Sequence, residues 1–247
     1  MTELITKDSL GSFCYSNLPH IKGAIKGICV SFRGLGGAAM ISDDTKVEAL
    51  RPTVERALRL AEEGIVFLVP YLNPWNWMNE EAVKTTDALI DAVIDSCALS
   101  EDIRVISTGG SMGGMCALTY MVYARRTPVA CVANCPVCDV PFHFTERPDL
   151  PRTFYSAYFN SGMSIDEALR THSPLHLADK LPDAKYYIFH CEADRAVNID
   201  AHSRKLVEAL GGRLTLVFHT VPERGHCDLS PEAAQMYERY IIEAANA

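Results

Sequence analysis

The sequence has no strongly basic segment and no long apolar run. Its 247 residues hold 23 lysines and arginines against 31 aspartates and glutamates, a formal net charge of −8, and no basic cluster exceeds Arg125-Arg126. Because nucleic acids and anionic membranes bind positive surfaces, neither is an expected partner. The longest apolar stretches, residues 65–72 and 129–137, fall far short of the roughly 18 residues that a membrane span needs.

We expect no export signal either, since the sequence shows no basic region followed by an apolar one near residue 1. The nine cysteines are an odd number, and several fall in predicted buried strands, which favours free thiols in a reducing cytoplasm. Cys131, Cys135 and Cys138 form a C-x3-C-x2-C cluster that could hold a metal or a redox pair. No second pair with zinc-finger spacing follows, so core or loop thiols are favoured, and we expect neither a metal nor an organic cofactor.

Apolar runs of strand length alternate with segments of helical period along the chain. This pattern is typical of an α/β fold, in which a mostly parallel, twisted sheet is covered by helices on both faces. No repeat or linker divides the chain, so we expect a single domain over residues 1–247. The runs expected to form strands are residues 24–32, 64–72, 103–108, 129–134, 185–191 and 213–219.

One long segment interrupts this alternation. Residues 135–184 separate two predicted strands and are rich in phenylalanine and tyrosine. Long insertions of this kind often form a cap or a pocket wall, so we expect a small, aromatic-rich cap. The alternative is that the aromatic residues only form the core of a surface subdomain.

A candidate nucleophile follows the predicted strand at 103–108. The sequence Gly109-Gly110-Ser111-Met112-Gly113-Gly114 leads from this strand directly into a predicted helix. A serine on so sharp a turn needs glycine on both sides, because a Cβ there would clash with the adjoining strand and helix. Glycine-rich turns also bind phosphates, but the two common phosphate-binding motifs are absent here. We therefore expect Ser111 to be an exposed nucleophile.

A serine hydroxyl is a weak nucleophile, so this hypothesis requires a histidine base and an acid that orients it. In a strand-turn-helix fold of this type they should follow in the order serine, acid, histidine. Asp194 lies just after the predicted strand at 185–191, and Glu192 is its nearest rival. Among the eight histidines, His226 follows the last predicted strand and comes directly after Gly225. We expect Asp194 to be the acid and His226 the base.

Acyl transfer also needs backbone donors for the oxyanion of the tetrahedral intermediate. The N–H of Met112 is one candidate. The other is the N–H of Leu35, in the glycine-rich turn 32–37, although a plain structural turn is the alternative. Trp75 and Trp77 lie on a loop after a predicted strand, where they could contact an aromatic or sugar-like substrate or serve only in packing.

Together these motifs resemble the α/β-hydrolase superfamily, and more narrowly the single-domain esterases related to the catalytic domain of the prolyl oligopeptidase family. GGSMGG is similar to the nucleophile elbow of that group, FRGLGG to its oxyanion turn, HCEADRAVNID to its acid turn and ERGH to its histidine motif. The resemblance implies the triad Ser111, Asp194 and His226. Arg33 replaces the usual histidine of the oxyanion turn, and it could select an anionic acyl group or form a structural ion pair.

The expected function is that of a serine hydrolase, most simply a carboxylesterase that cleaves a small-molecule ester through an acyl-enzyme on Ser111. A peptidase or amidase acting on small peptides would use the same groups, as would an acyltransferase. A protein that only binds a ligand on this scaffold is a further alternative, because a fold does not determine a function. An intact set of Ser111, Asp194 and His226 argues against that last alternative.

Overall fold

One sheet runs through the part of the chain that this computed structural model describes, residues 5–36, 41–213 and 215–247. The strand order is β1-β3-β2-β4-β5-β6-β7, with β1 antiparallel to β3 and the other neighbours parallel. The mostly parallel sheet is therefore confirmed. The strands are β1 (Cys14–Ser16), β2 (Gly27–Phe32), β3 (Ile65–Pro70), β4 (Arg104–Gly110), β5 (Ala130–Asn134), β6 (Lys185–Cys191) and β7 (Thr215–Val221).

The antiparallel edge strand β1 is the element that the sequence pattern did not predict. Its three residues are too few to show an alternation of apolar and polar positions. Asn17, directly after it, is fully buried and connects it to the interior. The Asn17 amide donates to the carbonyl oxygens of Ala57 and Ile65, and its oxygen accepts from the N–H of Phe67. These bonds hold the edge strand to the sheet.

Helices cover both faces of the sheet, as the sequence predicts. Helices α2 and α9 pack on one face, where Leu60 and Ile241 belong to the same core. Helices α3, α4 and α8 pack on the other, with Leu89 and Met115 in a second core. None of the described helices combines the length and the apolar composition needed to cross a membrane. The helices are α1 (Leu10–Phe13), α2 (Arg51–Glu62), α3 (Glu80–Cys97), α4 (Met112–Tyr123), α5 (Val140–Glu146), α6 (Pro151–Tyr158), α7 (Ile165–Thr171), α8 (Lys205–Leu210) and α9 (Pro231–Asn246).

Segment 135–184 contains α5, α6 and α7 and is fastened to the sheet side by Trp77. The Trp77 indole stacks on Phe154 at a centroid distance of 3.9 Å, and its N–H donates to Thr153 Oγ1 at 3.0 Å. The Tyr158 hydroxyl donates to the Trp77 carbonyl oxygen at 2.7 Å. Phe154 and Tyr158 are therefore buried in the same apolar core as α3 and α4, while Phe159 is 85% exposed.

Helix α4 begins in unusually close contact with the strand ends beneath it. A Cβ on Gly113 would lie 2.2 Å from the carbonyl oxygen of Phe32, and one on Gly109 would lie 2.2 Å from that of Gly113. Such distances are shorter than any van der Waals contact. Glycine at both positions lets the first turn of α4 rest on the carboxyl ends of β2 and β4, and this contact sets where Ser111 stands.

We expect Gly113→Ala to lower the free energy of unfolding by at least about 1–3 kcal/mol, because backbone atoms must move to admit the methyl group. Urea denaturation followed by circular dichroism measures this loss. Gly23→Ala is the matched control, since no atom lies within 4 Å of the added Cβ, and it should stay within about 0.5 kcal/mol of the wild type. Equal unfolding midpoints for the two variants would contradict the close contact.

Candidate active site

Ser111 lies between β4 and α4 in a backbone conformation that few residues other than glycine adopt. Its φ is 58° and its ψ is −126°. The Ser111 N–H donates to the Asn134 carbonyl oxygen at 2.9 Å, and its own carbonyl oxygen accepts from the N–H of Met115 at 3.1 Å. Within the described residues its hydroxyl has no hydrogen-bond partner. Strain of this kind is typical of functional positions, where the surrounding structure holds it.

Asp194 lies in the turn after β6, and its carboxylate is fully buried. One oxygen, Oδ1, accepts from the N–H groups of Ala196 at 2.8 Å and Val197 at 2.9 Å. The other, Oδ2, lies 2.6 Å from His226 Nδ1. These bonds orient the carboxylate and hold the imidazole by one nitrogen. Glu192, the rival acid, is exposed.

His226 comes from the loop after β7 and presents its second nitrogen, Nε2, away from Asp194. Burial lowers the pKa of the imidazole, but the hydrogen bond and the negative charge of Asp194 outweigh it, so the pKa lies above its usual 6.5. A proton taken up at Nε2 is thus stabilised by the carboxylate on the far side of the ring. This is the electrostatic arrangement that a general base requires.

Ser111 and His226 line one cavity of about 730 Å³, together with four other residues that the sequence singled out: Arg33, Leu35, Trp77 and Met112. Asp194 lies behind His226. In the described part of the turn that holds Leu35, Gly34 approaches the elbow closely, since a Cβ built on it would be 3.7 Å from Ser111 Cβ. Gly37, the last residue of the predicted turn, lies outside the described residues. A larger groove of about 910 Å³ runs along α3 and holds none of the predicted site residues.

The two tryptophans do not share one environment. Trp77 lines the cavity although it is only 1% exposed, because most of its ring is buried in the core, where it stacks on Phe154. Trp75 is not among the residues that line the cavity, and the guanidinium of Arg152 lies over its ring at 5.5 Å. The cavity wall from segment 135–184 consists of Val137, His143, Arg147 and Leu150.

Among the described arginines that line the cavity, Arg33 is the one without a carboxylate neighbour. Arg56 and Arg147, which also line it, have carboxylate neighbours: Glu238 lies 4.0 Å from Arg56 Nε without a hydrogen bond, and Asp149 lies 2.8 Å from Arg147. Arg33 has no carboxylate partner among the described residues, and its buried Nε makes no hydrogen bond to them. Burial lowers the pKa of the Arg33 guanidinium from its usual value, although an arginine remains charged at neutral pH.

Two further polar residues hold the site together: His190, whose place beside the acid turn in the sequence already suggests a bracing role, and Asn134, which sequence reasoning missed. His190, at the end of β6, is fully buried between Ser203 Oγ at 2.7 Å and the Val197 carbonyl oxygen at 3.0 Å, so it braces the turn of Asp194. Asn134, at the end of β5, donates from its amide to the Cys227 carbonyl oxygen at 3.1 Å. Because its own carbonyl accepts from Ser111, it joins the serine turn to the histidine loop. A polar residue at the end of a buried strand was the signal that could have found Asn134.

Residues 78–243 match the model of the prolyl oligopeptidase family, and this region contains Ser111, Asp194 and His226. The chain belongs to the prolyl oligopeptidase family. This membership supports a serine hydrolase and confirms the resemblance drawn from the motifs. The turn at Arg33 precedes the matched region. No protein of curated function matches the chain in sequence.

Solved structures of similar fold include esterases and a puromycin hydrolase. Est1E from Butyrivibrio proteoclasticus is 15% identical, with a TM-score of 0.61 over 95% of this chain and 94% of that one. Esterase PE8 is 16% identical, with a TM-score of 0.58 over 91% of this chain and 95% of that one. The puromycin hydrolase is 14% identical, with a TM-score of 0.70 over 91% of this chain but only 34% of that one. This member of the prolyl oligopeptidase family thus spans about a third of the puromycin hydrolase, and identities this low establish the shared α/β-hydrolase fold alone.

The Asp194 carboxylate should set the titration of His226. In Asp194→Asn we expect a lower imidazole pKa than in the wild type, because burial then acts without an opposing charge. The titration is followed by NMR, with the His226→Gln spectrum assigning the signal. In the wild type the folded pKa lies above the ordinary 6.5. The pair therefore stabilises the fold below pH 6.5, and this contribution is lost as the pH rises through the folded pKa. An unchanged pKa in Asp194→Asn would contradict this coupling.

Proposed function

We propose that this protein is a carboxylesterase that cleaves a small ester through an acyl-enzyme on Ser111. One observation carries the proposal. His226 lies 2.6 Å from Asp194, and it lines the same cavity as Ser111, whose positive φ of 58° marks a strained turn. The three side chains come from separate turns at the carboxyl edge of the sheet. A binding protein would have no use for a strained serine beside a histidine that a buried carboxylate orients.

The proposed reaction begins when Ser111 Oγ attacks the acyl carbon of the ester. His226 Nε2 takes the hydroxyl proton, and Asp194 stabilises the imidazolium that forms. The negative charge that develops on the carbonyl oxygen is held by the N–H groups of Met112 and Leu35. His226 then returns the proton to the leaving alcohol, and the acyl group remains on Ser111.

Water completes the proposed cycle. It enters after the alcohol leaves, gives a proton to His226 and attacks the acyl carbon, so the acid is released and Ser111 regains its proton. No hydrogen bond joins Ser111 Oγ to His226 among the described residues, so the proposed proton transfer requires this contact to form when substrate binds, as catalytic contacts commonly do. The reaction needs no metal or organic cofactor. The free thiols of the nine cysteines fit the reducing cytoplasm that we propose as its location.

The size of the cavity supports a small substrate. Its volume of about 730 Å³ is within the range typical of small-molecule sites, and segment 135–184 closes one side with His143, Arg147 and Leu150. Trp77 is the proposed apolar wall, whereas Trp75 lies outside the cavity and is left out of the substrate contacts. A peptidase acting on small peptides is the second candidate, because the family is named for an oligopeptidase.

We further propose that Arg33 binds an anionic group on the acyl part of the ester. It lies in the turn that holds the proposed oxyanion donor Leu35, and no described carboxylate neutralises it. A structural ion pair, the alternative raised by the sequence, lacks a partner among the described residues. A carboxylate on the acyl chain would supply the acceptor that the buried Nε lacks.

Ser111→Ala should abolish both labelling by a fluorophosphonate and the hydrolysis of p-nitrophenyl acetate, with turnover falling roughly 10⁴-fold or more. Intact mass spectrometry reports a single adduct on the wild type. Ser156→Ala, an exposed serine in α6, is the control and should behave like the wild type. Without an adduct on folded wild-type protein, the ligand-binding alternative would take first place.

A matched amide separates the two enzyme candidates. We expect hydrolysis of p-nitrophenyl acetate but little of p-nitroacetanilide, which has the same acyl group and a poorer leaving group. A comparable kcat/KM for the amide would instead make the protein a peptidase or amidase.

Arg33→Ala should lower kcat/KM about 10–100-fold for the p-nitrophenyl monoester of glutaric acid, the range expected for a lost hydrogen bond to a charged group. The neutral p-nitrophenyl pentanoate, of equal chain length, should change little. Arg104→Ala, at the opposite end of β4, is the matched control for the loss of a positive charge. A parallel fall for both esters in Arg33→Ala would show that Arg33 acts on structure and not on substrate choice.

A further inference from the structure

Two thiols stand beside the imidazole nitrogen that the proposed reaction uses. The sulfurs of Cys135 and Cys227 and a ring nitrogen of His226 all lie within 4.8 Å of one another. Cys227 Sγ is 3.8 Å from His226 Nε2. Cys135 follows β5 and is fully buried, whereas Cys227 is partly exposed and lines the cavity. This trio differs from the C-x3-C-x2-C cluster of the sequence, because Cys135 shares it with a residue from the loop after β7.

These distances suit a tetrahedral metal ion. Zinc binds sulfur at about 2.3 Å and imidazole nitrogen at about 2.0–2.1 Å, so its ligand atoms lie about 3.6–3.8 Å apart. The 3.8 Å between Cys227 Sγ and His226 Nε2 already matches this separation. The distances from Cys135 Sγ to the other two ligand atoms are at most 4.8 Å, so they need to shorten by about 1 Å at most. Two sulfurs with one imidazole favour zinc over magnesium or calcium, which prefer oxygen ligands.

The surroundings of Cys135 and His226 favour the forms that bind a metal. The backbone N–H of Cys191 donates to Cys135 Sγ at 3.3 Å, and such a bond stabilises a sulfur that carries negative charge. Asp194 holds Nδ1 of His226, which leaves the Nε2 lone pair free to bind a metal. A carboxylate behind a ligating histidine is the usual second partner of zinc sites, since it fixes the ring orientation. The fourth position of the tetrahedron is left for water.

We propose that Cys135, Cys227 and His226 form a zinc site that inhibits the enzyme when it is filled. On binding, both thiols release their protons to solvent, and three bonds form from the two sulfurs and Nε2 to the ion. The Nε2 lone pair then binds zinc and can no longer accept a proton from Ser111. Zinc binding stands on the geometry of the trio, whereas inhibition rests on the proposed function, in which His226 is the base.

The test titrates the full chain with zinc under a phosphine reductant that keeps the thiols free. A chromophoric chelator competes for the ion, and we expect one bound equivalent per chain. Cobalt(II) replaces zinc in a parallel titration, where a thiolate-to-cobalt charge-transfer band reports sulfur ligands directly. Cys227→Ser and Cys135→Ser should each weaken zinc binding by more than roughly 10–100-fold, which is the loss expected when a residue that only hydrogen-bonds to a metal ligand is removed. Both variants should also reduce the cobalt band. Circular dichroism confirms that each variant is folded.

Cys97→Ser is the matched control, because Cys97 is also a partly exposed thiol and lies at the end of α3. It should bind zinc like the wild type. In the wild type, the rate of fluorophosphonate labelling should fall in proportion to the zinc-bound fraction, and each serine variant is compared with its own metal-free rate. At zinc concentrations that inhibit the wild type, Cys227→Ser should label as fast as it does without metal.

The outcomes separate the two proposals. Absence of a bound equivalent and of the cobalt band in the wild type would overturn the zinc site. Zinc binding as strong in Cys135→Ser and Cys227→Ser as in the wild type would also overturn the site, since the ion would then lie elsewhere. Labelling unaffected by bound zinc would overturn inhibition. Failure of metal-free wild type to label at all would count against the proposed function, while the cobalt band would still decide the zinc site.

Discussion

The candidate site depends on the close contact between the first turn of α4 and the ends of β2 and β4. Gly109 and Gly113 allow this contact, and a side chain at either would collide with backbone. The contact forces the chain to reverse within one residue, and Ser111 takes the left-handed conformation that results. The same reversal aims the Ser111 N–H at Asn134, so the turn is tied to the neighbouring strand end. The position of the serine is thus a consequence of packing between backbones.

Two charged side chains near this turn, Asp194 and Arg33, differ in how their charge is compensated. Asp194 has two backbone N–H donors and an imidazole, so its negative charge is compensated within the protein. Arg33 has no such partner among the described residues. A buried polar group without a hydrogen-bond partner destabilises the fold. A ligand that supplies the missing acceptor therefore binds more tightly. The compensated carboxylate of Asp194 suits a residue that keeps one position, whereas the unpartnered Arg33 fits the anion-binding role proposed for it.

Local patterns were enough to predict much of this architecture. The alternation of strands and helices predicted the parallel sheet, and G-x-S-x-G predicted the turn at Ser111 because its cause lies within five residues. The short strand β1 was missed, since its place is fixed by pairing with β3 and by Asn17 and not by its own composition. Likewise, the bond from the Asn134 amide to the Cys227 carbonyl oxygen joins residues 93 positions apart in sequence. Distant contacts of this kind leave no local pattern.

The proximity of Cys135 and Cys227 also depends on a contact between residues that are distant in sequence. The two residues follow β5 and β7, which are both neighbours of β6, so their loops meet over the end of that strand. Asn134 draws the loops closer by its bond to the Cys227 carbonyl oxygen. In the loop that brings His226 to the cavity, the next side chain, Cys227, lies close to Gly110, where an added Cβ would be 3.2 Å from its Sγ. A thiol there is within reach of the base. The arrangement that supplies the proposed reaction with His226 therefore also supplies a metal ion with its ligands, and the two uses compete for one lone pair.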